Sequence, residues 1–337
     1  MQILVTGAAG VVGTEVCRKL TAKGHTPVQV ARRAPAGSDV IAWNMGSEPA
    51  PEHLRRDWDV MVHTAASTRW TMSRDEATSA TIAPLRAALE LAGPGTHLVH
   101  VSTAYLAHGG TAASGVPEFD GYRNGYEWSK SICEGLVGGH PGAATIVRPP
   151  LILGRRDDGG IARFSGPYTL LQTLVSGLAA VVVGEPDGYA EIAPVDQVAD
   201  AVVEAALGVP PAERVIETVA AGSHCLQLTR MLDIILGSIN EWRAGQGLDP
   251  VPRPPMLSAD QWHRFYLPLV HEYLSPVQAE AVELLGMFEA YTSMPEPFEP
   301  TSVVSDPAEV LRRSVAYWMA TKPRLARRTP EPWQLVA

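Results

Sequence analysis

The sequence predicts an α/β protein, a doubly wound parallel sheet joined to a smaller, mostly helical lobe. Three observations carry this. Short apolar runs alternate with amphipathic stretches over residues 1–150, the pattern of a parallel sheet with helices on both faces. A glycine-rich turn links the first run to the first helix. Beyond about residue 222 helical periodicity dominates.

Taken in order, residues 2–6 predict a strand and 10–23 a helix, with Val12, Val16 and Leu20 at helical spacing. Strands follow at 27–31, 40–43 and 59–63, a helix at 78–91, a strand at 96–102, a helix at 126–137 and a strand at 144–148. Pro149 and Pro150 stop that last strand, since proline cannot donate to a ladder. Residues 155–180 are at first rich in Gly and Arg, and a strand is expected at 181–183. Residues 193–199 read as a loop and a helix start, with Asp196 near the first turn. A proline-rich joint at 250–255 interrupts the helical end. Two domains are expected, 1–220 around the sheet and 221–337 as the lobe, with 151–190 adding part of the substrate site.

Composition narrows the function. The 337 residues carry a net charge of −9, which argues against a nucleic-acid partner. Cys17, Cys133 and Cys225 are far apart and lack metal-ligand spacing, so neither a disulfide framework nor a metal site is expected. No stretch has the length and apolarity of a membrane span, and a strand beginning at residue 2 leaves no room for a signal peptide. A cytoplasmic protein is expected.

The turn Gly7-Ala8-Ala9-Gly10-Val11-Val12-Gly13 follows the apolar run Ile3-Leu4-Val5. Strand, tight turn and helix in this order make the dinucleotide cradle of a Rossmann-type sheet. Gly7 permits the turn, Gly10 lets a pyrophosphate approach the backbone, and Gly13 allows the helix to pack closely. Gly7, Ala9, Gly10, Val11, Val12 and Gly13 are its candidate cofactor-binding residues, with the phosphates at the helix N-terminus. At the end of the second strand stand Arg32 and Arg33, with no acid before Asp39. A guanidinium forks onto phosphate oxygens, so NADP is expected over NAD, with Arg32 the preferred ligand.

Tyr126-Glu127-Trp128-Ser129-Lys130 sets a phenol and an ammonium one helical turn apart on the same face. With four lysines and nine tyrosines in the chain, chance gives this spacing about 0.1 times. Tyr126 is the candidate general acid, protonating an oxygen as hydride reaches its carbon. The Lys130 ammonium and an oxidised nicotinamide ring are expected to lower its pKa from about 10. Ser102 and Thr103, at the C-terminal end of the fifth strand, are candidates for steadying that oxygen.

With these residues in hand, the chain resembles the extended short-chain dehydrogenase/reductase superfamily over about its first 220 residues. Within it, the chain looks more like fatty acyl-CoA reductases and the thioester reductases of acyl-carrier systems than sugar epimerases. The likeness rests on the segments 63–70, His100-Val101-Ser102-Thr103-Ala104-Tyr105, Val147-Arg148-Pro149, and the run from Phe164-Ser165-Gly166-Pro167 to Pro194-Val195-Asp196. The resemblance implies a catalytic triad of Thr103, Tyr126 and Lys130, and NADPH as hydride donor. It also places Thr64, Ala65, Ala66, Val101, Pro149 and Leu151 along the cofactor. Asn44 and Met45 stand where the superfamily has an acidic and an aliphatic residue near adenine. An acyl thioester, or the corresponding aldehyde, is the implied substrate. No carrier domain is recognised in the chain, so a carrier-bound substrate is expected from a separate acyl carrier protein.

Direct hydride attack needs no cysteine nucleophile, and Cys17 and Cys133 read as core residues. Trp262, Phe265, Tyr266 and Tyr273 read as core or as an acyl tunnel. Arg324, Arg327 and Arg328 read as a solvated tail or as a receptor for a carrier phosphate. Three rival functions stay open: a reductase or dehydrogenase of free carbonyls and alcohols, a nucleotide-sugar epimerase or dehydratase, and a non-catalytic NADP-binding regulator. So does a homodimer.

Overall fold

The computed structural model describes residues 1–108 and 118–331. The chain forms two compact units, one of 1–150, 195–219 and 300–302, the other of 151–194, 220–299 and 303–337.

The first unit is built on β1 (Ile3–Thr6), β2 (Val28–Ala31), β3 (Ile41–Ala42), β4 (Val60–His63), β5 (His97–Val101), β6 (Ala144–Arg148) and β7 (Val215–Ala220). Their order is β7-β6-β5-β4-β1-β2-β3, every pairing parallel, with Ser302–Val303 beyond β7 at the edge. Strand order reverses between β1 and β4, and ligands of open α/β sheets bind outside the strand C-termini at such a switch. The first six strands stand where the apolar runs predicted them. β7 was not foreseen. Glu217 interrupts its apolar pattern, and Val215 and Ile216 are exposed.

Helices α1 (Val11–Ala22), α2 (Arg74–Ala77), α3 (Ala83–Leu89), α4 (Gly125–Gly138) and α5 (Val195–Leu207) flank the sheet, with a π-helical turn at Thr78–Ile82 joining α2 to α3. The helix expected from 78 begins a turn earlier, where Ser73 and Glu76 form a reciprocal capping box. Leu4, Met61, Leu98 and Ile146 pack on one side with Leu85, Trp128, Cys133 and Val137. Strand alternation sends their neighbours Val5, Val62, Val99 and Val147 to the other face, and these too are buried. Both faces being covered explains why the strands read as continuous apolar runs rather than alternating ones.

The second unit carries short ladders instead of a large sheet. Leu151–Leu153 pairs in parallel with Ile192–Pro194, Val182–Val183 with Met256–Leu257, and Tyr189–Ala190 antiparallel with Leu226–Gln227. Its long helices are Leu228–Ala244, Pro276–Thr292 and Pro307–Thr321, in keeping with the expected helical lobe. Proline after the sixth strand does not end strand structure altogether, because Leu151–Leu153 resumes immediately against Ile192–Pro194. The Glu191 carboxylate is fully buried and accepts from the backbone N–H groups of Ala221, Gly222 and Phe298, tying three segments to one point. Among the described residues no helix is long and apolar enough to cross a membrane, and no group of three or more His, Cys, Asp or Glu could hold a metal ion.

His63 and His100 are register partners on β4 and β5, both 1% exposed, with rings stacked at 5.5 Å. Burial, and then the Lys130 charge, lowers both pKa values, that of His63 to about 3. A histidine depressed in the folded state stabilises the fold above the unfolded pKa of 6.5 and loses that contribution as pH falls toward 3. Unfolding free energy should therefore drop below pH 6.5, by up to about 1.4 kcal/mol per pH unit for each histidine. Urea titrations from pH 7 to pH 4 should show a shallower slope for His100→Leu than for the wild type. Equal slopes would contradict the account.

Candidate active site

The glycine loop is shaped by steric demand. Gly7 has φ of 74°, and a Cβ there would lie 2.6 Å from the Ala65 nitrogen and from Thr64 Oγ1. A Cβ on Gly13 would lie 2.2 Å from the Gly7 carbonyl oxygen. The Gly10 N–H donates to that carbonyl at 2.8 Å, and the Ala8 N–H donates to Val30 on β2 at 3.0 Å. The Thr64 hydroxyl donates to the Thr6 carbonyl at 2.9 Å and lies 3.2 Å from the Gly7 carbonyl. Thr64 and Ala65 thus sit beside the loop, at the switch between β1 and β4, with Ala66 next in sequence. Gly10 caps α1 without any side-chain acceptor, and the first turn carries no acid. Ala9, Val11 and Val12 lie in or next to that first turn, where N–H groups and the helix dipole suit an anion. This cradle fits a dinucleotide phosphate.

Arg32 and Arg33 follow β2 directly and are exposed. The Asn44 N–H lies 3.4 Å from the Glu48 carboxylate, and Met45 is buried in the cluster on the α3 and α4 side of the sheet. Of the residues beyond β6, Pro149 is buried and its carbonyl accepts from the Ala104 N–H at 2.9 Å. Leu151 belongs to the second unit, where it borders a small apolar cavity with Leu153, Ile192, Met231 and Phe288.

The candidate catalytic residues lie on two elements. Ser102 and Thr103 continue from β5, the Ser102 N–H donating to Val147 at 2.8 Å. Both are 2% exposed, and Ser102 Oγ has no hydrogen-bond partner among the described residues. Tyr126 and Lys130 stand on α4, whose N-cap Asn124 accepts from the Glu127 N–H at 3.0 Å. Thr103 and Tyr126 hydrogen-bond through their side chains. The Lys130 ammonium donates to the Val101 carbonyl at 2.8 Å and lies 5.9 Å from the Tyr126 ring centroid. Thr103, Tyr126 and Lys130 are therefore brought together.

One electrostatic expectation is corrected. The pKa of Tyr126 is not lowered in this structure. Burial pushes it up to about 12, with the Thr103 hydrogen bond opposing and Glu127 adding to the rise. Lys130 spends its charge on Val101, and burial lowers its own pKa. The phenol accordingly stays protonated at neutral pH, which is the state a proton donor needs.

Gly125 was not singled out from the sequence. A Cβ there would lie 2.2 Å from the Met72 carbonyl oxygen, so glycine is what lets α4 start where it presents Tyr126. The only sequence signal was a glycine directly before the tyrosine. Cys17 and Cys133 are buried, and desolvation raises their thiols to about 12 and about 11, consistent with core roles. In the second unit Trp262 is buried and stacks on Tyr266 at 5.2 Å, while Phe265 and Tyr273 are about three-fifths exposed, at 61% and 60%. Those two belong neither to the core nor to an enclosed tunnel. Arg324, Arg327 and Arg328 are exposed, and Arg327 donates to Gln246 at 2.8 Å.

A family model described as male sterility protein, an NAD-binding group, matches residues 29–202. Two epimerase family proteins, from Mycobacterium bovis and Mycobacterium tuberculosis, are 32% identical over 73 residues, covering 20% of the chain and 24% of each relative. The chain thus spans about a quarter of the curated relatives it matches. Among solved structures it is similar to the terminal R domain of the myxalamid PKS-NRPS biosynthetic pathway, with a TM-score of 0.70 and 17% identity over 97% of this chain and 93% of that one. The PhqB reductase domain from Penicillium fellutanum gives 0.64 and 18%, over 95% and 93%. The Bordetella bronchiseptica enzyme WbmH, in complex with NAD+, gives 0.59 and 15%, over 94% and 98%. At these identities the likeness establishes a shared fold.

The cradle geometry predicts that Gly7→Ala weakens binding of a nicotinamide dinucleotide at least tenfold, roughly 1.4 kcal/mol or more, because the left-handed turn and the Ala65 approach both exclude a Cβ. Fluorescence titration of NADPH measures it. Wild-type affinity in the variant would show that the loop does not hold the phosphates.

Proposed function

The chain belongs to the male sterility protein family of NAD-binding domains, and on that premise we propose that it is an NADPH-dependent reductase of acyl thioesters. Members of this group are NAD(P)-dependent oxidoreductases of the extended short-chain dehydrogenase/reductase type. The observation that carries the reading is the meeting of Tyr126 with Thr103 at the end of β5, with Lys130 one turn further along α4. The similar solved structures include an R domain, a reductase domain and a thiolation-reductase di-domain, which supports a thioester on coenzyme A or on a separate carrier.

The Gly7–Gly13 loop and the α1 N-terminus would hold the pyrophosphate, and Arg32, with Arg33 beside it, would receive the 2′-phosphate of NADP. Lys130 would also reach the nicotinamide ribose. A nicotinamide held there would supply hydride chemistry at the carbonyl carbon. Tyr126 holds its proton at neutral pH and gives it to the carbonyl oxygen, while Thr103 hydrogen-bonds the same centre and fixes the phenol. The product is a hemithioacetal, in which the former carbonyl carbon keeps both the hydride and the sulfur. Loss of the hydroxyl proton and cleavage of the C–S bond, with the proton passing to sulfur, give aldehyde and free thiol. A second hydride and proton would give the alcohol.

Purified protein should consume NADPH with acyl-CoA substrates, one free thiol appearing per NADPH in the first reduction. Turnover of aldehydes alone would move the assignment to a carbonyl reductase, and no net NADPH consumption with a nucleotide sugar transformed would make it an epimerase. Tyr126→Phe should lower kcat by about 10²–10⁴-fold with NADPH affinity unchanged. Arg32→Ala should weaken NADPH about tenfold and leave NADH unaffected, as expected for loss of one charge-assisted fork. Equal loss for both cofactors would remove the basis for NADP preference.

A further inference from the structure

We infer that Arg123 and Glu127 form a clamp that positions Tyr126 against Thr103, which makes Arg123 a positioning residue of the candidate active site. The inference rests on the reading of Tyr126 as proton donor. Glu127 directly follows Tyr126 on α4, and its side chain is 1% exposed. The Arg123 guanidinium reaches both carboxylate oxygens, Nε donating to Oε2 at 3.0 Å and Nη2 lying 2.7 Å from Oε1. The same Nη2 donates to the Tyr105 carbonyl at 3.4 Å, and the guanidinium carbon lies 5.6 Å from the Tyr105 ring centroid. Tyr105 is two residues beyond Thr103, and its N–H reaches Thr103 Oγ1 at 3.5 Å. One side chain therefore joins the segment carrying Thr103 to the first turn of the helix carrying Tyr126.

The planar fork sets orientation as well as distance, which the point charge of a lysine does not. Glu127 is fixed at its other end too, since its N–H donates to the capping Asn124 at 3.0 Å. Small displacements between reacting groups cost large factors in rate, so loosening this clamp should act on kcat while sparing the cofactor cradle, which is built from other elements.

The test compares Arg123→Ala, Arg123→Lys, Glu127→Ala, Glu127→Gln, the double alanine variant and Tyr126→Phe. For each, kcat is measured with whichever acyl-CoA or aldehyde the wild type turns over, alongside NADPH affinity and melting temperature. The clamp predicts a loss of about 10- to 100-fold in kcat for each single alanine variant, NADPH affinity within about twofold, and a double variant no worse than the worse single. Arg123→Lys should recover less than about a third of the wild-type rate, because charge without the fork does not orient Glu127. If an alanine variant does not fold, Arg123→Lys and Glu127→Gln, which preserve volume, decide the matter. Single-variant rates within threefold of wild type, losses that multiply in the double variant, or full activity in Arg123→Lys would each overturn the clamp. An active Tyr126→Phe would overturn the proton-donor reading, and the clamp with it. An inactive Tyr126→Phe beside a fully active Arg123→Ala would overturn the clamp alone.

Discussion

The hydrogen bond from the Lys130 ammonium to the Val101 carbonyl, at 2.8 Å, is the interaction on which the geometry of the first unit turns. An ammonium only 4% exposed carries a desolvation cost of several kcal/mol unless it is hydrogen-bonded. The carbonyl it finds is that of the last residue of β5. That bond pins α4 to the C-terminal end of the strand that delivers Thr103, and the Thr103–Tyr126 contact follows one turn earlier on the same helix. The Lys130 charge is also felt by His63 and His100, which burial and that charge together keep neutral. A single buried cation thus ties α4 to the end of β5 and adds to the burial that keeps the two histidines beneath it neutral.

The second constraint is close approach. Gly7 and Gly13 leave no room for a Cβ because the loop folds against Thr64 and Ala65 on one side and against itself on the other. β1 and β4 are register partners through Thr6 and His63, so the cradle and the base of the candidate triad share the same stretch of sheet. Tyr126 stands apart from that loop on α4, where burial pushes its pKa up to about 12.

Much of this was legible in the sequence because it depends on local pattern. Six strands were visible as apolar runs, and the glycine loop and Tyr126-x-x-x-Lys130 were visible as spacings. What escaped depends on contacts between distant segments. β7 is stabilised by pairing with β6 although Glu217 breaks its apolar pattern. Leu151–Leu153 is a strand only because Ile192–Pro194 lies beside it. Gly125 matters because Met72, far away in sequence, presents a carbonyl to it. The direction of the Tyr126 pKa shift escaped for the same reason. Spacing showed Lys130 nearby but not that Val101 would take its charge, nor that burial would dominate. The early start of α2 was different, since Ser73-x-x-Glu76 is a readable capping signal.

The central claim is that hydride passes directly to a thioester carbonyl while this chain supplies the proton. The most direct measurement is a single turnover with NADPH deuterated at the transferring C4 position and a medium-chain acyl-CoA, followed by mass spectrometry of the product and a thiol assay. The account predicts one deuterium on C1 of the aldehyde, two on C1 of the alcohol where a second labelled hydride follows, and one free thiol for each such product. Deuterium retained in the cofactor with the thioester intact, while a free aldehyde takes up the label, would contradict it.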